Sequence, residues 1–156
     1  MTHMHPGALL GRDDESEKLR FLGGIAILRA DPRKGASAAV IEHILEAGSC
    51  TPLHRHTHES EMLYVLEGAL TVLFADGRVE LDAGDAITVQ RGIVHAVHAR
   101  TRSRVLGVTS ESGFVDFVRA VSTPLDAPPM APDMSRVHEA AALGKLEILA
   151  PPPVAT

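Results

Sequence analysis

The chain has 156 residues, 45% of them hydrophobic, with 15 Lys and Arg against 20 Asp and Glu for a formal net charge of −5. That is enough apolar material for one domain core, and the negative balance argues against nucleic acid or an anionic membrane as partner. The aromatics are four Phe and one Tyr with no Trp, too few for a base-stacking platform, and the single cysteine, Cys50, precludes an intrachain disulfide.

Residues 1–18 read as a polar N-terminal arm in which His3 and His5 are incidental. No basic segment leads into an apolar one, and no apolar run reaches membrane-spanning length, so a cytoplasmic location is expected. From Leu19 the chain becomes a series of short apolar or alternating runs: LRFLGGIAILRA, ASAAVIEHILEA, EMLYVLEGALTVLFA, RVELD, DAITVQ, IVHAVHA and SRVLGVTS. Turn residues separate them, and many short strands at such intervals predict an all-β sandwich or barrel over 19–112. Asp76-Gly77 signals a tight hairpin of the type that needs positive φ. After Gly113 the period changes. Phe114, Phe117, Val118 and Val121 fall on one face of a short helix. A Pro-rich connector follows, then a second helix with Ser135 as N-cap and Gly144 as its left-handed stop, and a short strand in LEIL. Residues 113–156 thus form a helical extension and tail on a single domain, 1–156.

Two stretches carry chemistry. GSCTPLHRHTHESEMLYVLEG, residues 48–68, spaces Gly48, His54, His56, Glu61 and Gly68, and GDAITVQRGIVH, residues 84–95, holds Gly84, Gly92 and His95. Strand alternation puts His54 and His56 on one face, about 6.5–7 Å apart at Cα. Three imidazoles and a carboxylate make a ligand set for a divalent transition metal with N/O preference.

These residues resemble the cupins, whose first motif is G-x5-H-x-H-x3-4-E-x6-G and whose second is G-x5-P-x-G-x2-H-x3-N. The first is complete here. In the second, Gln90 replaces the proline and Ala99 the asparagine. FLGG at 21–24, IEH at 41–43, YVLEG at 64–68, GFVDF at 113–117 and LEILAPP near the C-terminus resemble small single-barrel cupins of the quercetin 2,3-dioxygenase-like group. The resemblance implies a cupin barrel (a jelly-roll-like double-stranded β-helix) with short C-terminal helices. It also implies one metal ion, from Fe, Ni, Mn, Co, Cu or Zn, held by His54, His56, Glu61 and His95. Glu61 takes the carboxylate role over Glu59 because it stands at the family position and in phase with its strand.

Other residues read more plainly. His58 belongs to the exposed connection, His43 and His98 face away from the ion, Glu42 is a barrel-wall residue and Cys50 an inert thiol. Arg100, Arg102 and Arg104 form a stripe on the face opposite His95. Leu63, Val97 and Ala99 are expected to wall an apolar substrate pocket. Phe114 and Phe117 either close it as a lid or pack on the outside of the barrel. The leading functional expectation is a metal-dependent dioxygenase-like enzyme acting on a small aromatic or polyhydroxylated compound, with Glu61 as base. A non-oxidative isomerase or hydrolase and a non-catalytic binding module are the alternatives. A homodimer is expected, with the strand around Phe21 and the LEIL segment crossing to the partner.

Overall fold

A computed structural model describes residues 5–153. In chain order its strands are β1 (Glu17–Phe21), β2 (Gly24–Ala30), β3 (Ala39–Leu45), β4 (Leu53–His56), β5 (Glu61–Glu67), β6 (Ala69–Phe74), β7 (Gly77–Asp82), β8 (Ala86–Val89), β9 (His95–Ala99), β10 (Ser103–Thr109), β11 (Thr123–Pro124) and β12 (Leu146–Ala150). The helices are α1 (Gly113–Val121) and α2 (Met134–Ala141). One sheet has the order β11-β1-β2-β3-β10-β5-β8 and the other β12-β4-β9-β6-β7. All pairings are antiparallel, as expected where hairpins and short loops join the strands.

The body of the sandwich follows period-2 alternation. Along β5, Glu61, Leu63 and Val65 are buried while Met62 and Tyr64 are exposed. β10 alternates the same way from Ser103 to Thr109. Their inner residues meet Leu70, Val72 and Val97 from the other sheet in one aliphatic core. Gly68 makes the reversal between β5 and β6 possible. Its φ is +87°, and a Cβ there would stand 2.6 Å from the Arg102 carbonyl oxygen, a position only glycine can fill.

A second core lies at one end of the sandwich, where α1, α2 and β12 cover the inner faces of β1–β3. It joins Phe21, Ile41, Phe114, Phe117, Val137 and Leu146. The amphipathic face foreseen for α1 is the buried one. Arg119 on α1 holds Glu17 of β1 at 2.8 Å and Asp31 beyond β2 at 2.7 Å, which fixes the helix to the sheet.

Several local expectations are corrected. β1 begins at Glu17, two residues early, and LRFLGGIAILRA is two strands joined by Leu22-Gly23, both at positive φ. The β6–β7 loop is Ala75-Asp76, and Gly77 does not adopt a positive φ. The N-cap of α2 is Asp133, whose carboxylate accepts from the Ser135 and Arg136 amides. The left-handed residue after α2 is Lys145. Gly144 has a different reason to be glycine: a Cβ there would sit 2.5 Å from that of Phe117. LEIL forms a strand, as expected, which pairs with β4. The strand around Phe21 lies between β11 and β2. No described helix is long and apolar enough to cross a membrane.

Candidate metal centre

His54 and His56 lie on β4, and His95 opens β9, its Cα registered directly opposite His54. Glu61 opens β5 in the facing sheet. The site therefore sits between the sheets, where the two cores meet. One donor atom from each of the four residues lies within 4.8 Å of all the others, near the spacing of donors that share an ion at about 2.1 Å.

Second contacts orient the ligands. His54 Nδ1 stands 2.8 Å from the Pro52 carbonyl oxygen and His95 Nδ1 3.0 Å from that of Ile93. Donation from Nδ1 to these carbonyls leaves each Nε2 as the lone-pair nitrogen, the usual way a backbone group fixes the tautomer of a ligand. Glu61 Oε2 lies 3.2 Å from His56 Nε2 and 3.3 Å from His95 Nε2. His56 Nδ1 is buried without a partner, and its Nε2 meets only the Glu61 oxygen, outside hydrogen-bond geometry. A buried polar ring in that state costs stability unless something else satisfies it. A metal ion does so, and the donor set suits one: the residues fit.

The electrostatics agree. Burial pushes the His54 imidazole down to about 4, helped by the neighbouring His95, so it is neutral at pH 7 and free to ligate. Burial alone would raise the Glu61 carboxyl, but the charge of His56 and the contacts with His95 outweigh it and hold it well below the usual carboxylate range. For His56, burial is outweighed by the Glu61 charge, and its pKa rises.

An apolar cavity opens onto the cluster. His54 and Glu61 form part of its wall, and Leu63, Val97, Phe114 and Phe117 line it, with Leu22 and Val137 among the others. The helices thus cover the mouth: the Phe114 ring centroid is 5.5 Å from that of His56. Ala99 is a correction. It is buried in the aliphatic core and does not reach the cavity, because four residues of strand place it roughly 13 Å from His95. His43 is a second correction. It lines the cavity and is buried. Its in-phase neighbours Ile41 and Leu45 are the sequence signal that it points inward.

The competing residues fall elsewhere. Glu59 is buried but accepts from the Glu111 amide at 2.8 Å, which ties the loop before α1 to the ligand-bearing segment. His58 is exposed and contacts Thr57. His98 is half-buried beside a groove on the outer face of its sheet. Cys50 is half-buried, with its thiol pKa pushed up by burial. Glu42 pairs with Arg29 and Arg104 on the outer face, Arg102 pairs with Glu46, and Arg100 with Asp82. The arginine stripe is a set of ion pairs. His5 is exposed, and His3 lies outside the described residues.

An antiparallel sandwich that brings three imidazoles and a carboxylate to one buried point defines a β-barrel protein with a mononuclear metal-site geometry. Its fold is a cupin fold, and residues 41–109 match the Cupin_2 family, described as a cupin domain. No curated protein matches the sequence. Among solved structures, KdgF from Halomonas sp. is similar with a TM-score of 0.58 at 20% identity, over 65% of this chain and 94% of that one. Ectoine synthase from P. lautus is similar with a TM-score of 0.58 at 17% identity, over 73% and 84%. A cupin sugar phosphate isomerase from Silicibacter pomeroyi gives 0.58 at 21% identity, over 68% and 77%. At these identities the likeness is one of fold.

Proposed function

We propose that this cupin is a metal-dependent enzyme of the dioxygenase-like kind, acting on a small oxygen-bearing compound of the catechol type. The carrying observation is that the apolar cavity ends directly on His54 and Glu61 of the four-ligand cluster. A divalent transition metal held by His54, His56, Glu61 and His95 supplies Lewis acidity to a bound enol or phenol oxygen. Glu61 directs Oε2 at two imidazoles and leaves Oε1 without a hydrogen-bond partner among the described residues, the oxygen available to take a substrate proton.

The wall supports a particular substrate class. No Lys or Arg lines the cavity, so a sugar phosphate or a sugar acid finds no cationic side chain there. The cavity volume is about 80 Å³, well under the roughly 300–1,000 Å³ of usual small-molecule sites. A three-ring flavonol does not fit beneath α1 as it stands, and the expectation narrows to compounds of about one ring. A homodimer is part of this reading, with the free edge of β12 as the segment left to pair.

Metal content and oxygen uptake test the proposal together. His95→Ala should lower metal affinity by about 100-fold or more, since strand-borne ligands cannot relocate, while His58→Ala should keep the ion. Iron-loaded wild-type protein should consume oxygen with catechol, and Glu61→Gln should not. Metal retention by His95→Ala would sink the ligand assignment. Catechol binding without oxygen uptake would shift the reading to non-oxidative catalysis or to a binding module.

A further inference from the structure

The cavity wall contains four polar side chains, and three are committed. His54 and Glu61 belong to the metal cluster, and the Thr51 hydroxyl accepts from the Val97 amide at 2.9 Å. The fourth is His43, only 7% exposed. Its ring packs between Phe21 and Phe114, with centroids 5.9 and 6.1 Å away. Phe114 in turn leans on His56. Gly107 on β10 faces the ring: a Cβ there would meet Nε2 at 3.4 Å, about van der Waals contact. His43 makes no hydrogen bond among the described residues, and its nitrogens are not fully sealed, so they are open to the cavity it lines.

A position beside Phe21 and Phe114 would ordinarily hold an apolar side chain, because an imidazole largely removed from water and without a protein partner is costly. The cost is recovered if a ligand in the cavity supplies the partner. We infer that His43 binds the substrate: its imidazole hydrogen-bonds a second oxygen function of a molecule whose first oxygen sits at the metal cluster. The site accordingly selects small compounds carrying two oxygen functions over those carrying one. This rests on the metal-centre reading above and adds a residue that the ligand motif does not contain. Burial pushes the His43 imidazole down to about 4, so at neutral pH it has one donor and one acceptor nitrogen to offer.

The test compares two probes on cobalt-loaded protein by optical titration: catechol, which reaches both the metal and His43, and azide, which reaches the metal alone. His43→Phe keeps the aromatic packing and removes the nitrogens. It should weaken catechol at least about tenfold while cobalt per chain and azide affinity stay unchanged. His43→Gln should recover most of the catechol affinity. In zinc-loaded protein, the His43 ring ¹⁵N resonances should shift with catechol and not with azide. Equal catechol affinity in wild type and His43→Phe would overturn the inference and leave the metal reading intact. Loss of cobalt or azide binding in His43→Phe would make the residue structural and also overturn it. If catechol leaves the wild-type cobalt spectrum unchanged although azide perturbs it, the proposed substrate class falls and the role of His43 falls with it.

Discussion

The two cores of this protein are built on different terms. The body of the sandwich is aliphatic, and its buried residues run from Leu63 to Val105 on strands that neighbour one another in sequence or in the sheets. The mouth gathers segments from Phe21 to Leu146 and holds three of the four phenylalanines. The cavity that reaches the candidate ligands lies between the two cores, lined by Phe21, Phe114 and Phe117 of the mouth and by Leu63, Val97 and Val105 of the body. The ligands sit on the seam, with backbones fixed by the strands and cavity-facing atoms covered by the mouth. The body strands therefore set where an ion would be held, and the mouth helices cover the approach to it.

Truncations on either side of the seam give the largest effects. Leu70 is fully buried in the body, and Leu70→Ala should cost about 2–5 kcal/mol. Phe117 is 3% exposed, stacks on Phe114 at 6.0 Å and meets Phe21 edge-on. Phe117→Ala should cost about 3–5 kcal/mol. Urea unfolding should register both, but only Phe117→Ala should also enlarge the cavity and change catechol affinity. If Leu70→Ala alters catechol binding equally, the division between frame and cover is wrong.

Acid probes the seam itself at a slightly smaller scale. In metal-free protein, burial depresses His43 and His54 to about 4 from an ordinary 6.5. The unfolded chain then takes up these protons first, so stability present above pH 6.5 is lost as the pH falls towards 4. Glu61, held well below its ordinary 4.5, extends the loss to lower pH, and His56, whose pKa is raised, opposes it. Each buried neutral imidazole contributes on the order of 3 kcal/mol to the slope. His43→Phe should flatten the urea midpoint between pH 6.5 and 4 without touching a ligand. An unchanged slope would mean that His43 is not held neutral at the cavity wall.

The body and the ligands were readable because their rules are local. Alternation fixes which residues of β5, β9 and β10 face inward, and the spacing of His54, His56 and Glu61 survives any choice of loop conformation. The mouth was only half readable. The apolar face of α1 is plain in the sequence, but whether Phe114 and Phe117 close the cavity depends on where α2 and β12 dock, which no short-range pattern encodes. Gly144 shows the same limit: it looks like a helix stop, yet what excludes a side chain is Phe117 on another helix. His43 was misassigned for a different reason. Glu42 and His43 are both polar in an apolar run, and the alternation decides between them only if Ile41 and Leu45 are taken as the inward phase. Glu42 is buried too, on the other face, between Arg29 and Arg104.

The smallest effect should come from Leu22, at the rim where the cover meets the frame. Leu22 has a φ of +47° in the two-residue turn between β1 and β2, a conformation that costs a non-glycine residue about 1–2 kcal/mol. Its half-buried side chain packs against the mouth core and lines the cavity, which returns a similar amount through apolar burial. Leu22→Gly removes both terms and adds chain entropy to the unfolded state, about 0.5–1 kcal/mol. The net change in stability should stay within about 1 kcal/mol. Catechol should nevertheless enter the metal-loaded site faster, because the rim has lost a side chain while the ligands keep theirs. Stopped-flow binding beside urea unfolding separates the two quantities. A stability loss of about 3 kcal/mol or more would make Leu22 an anchor of the core instead of a rim, and an unchanged entry rate would place the route to the metal elsewhere.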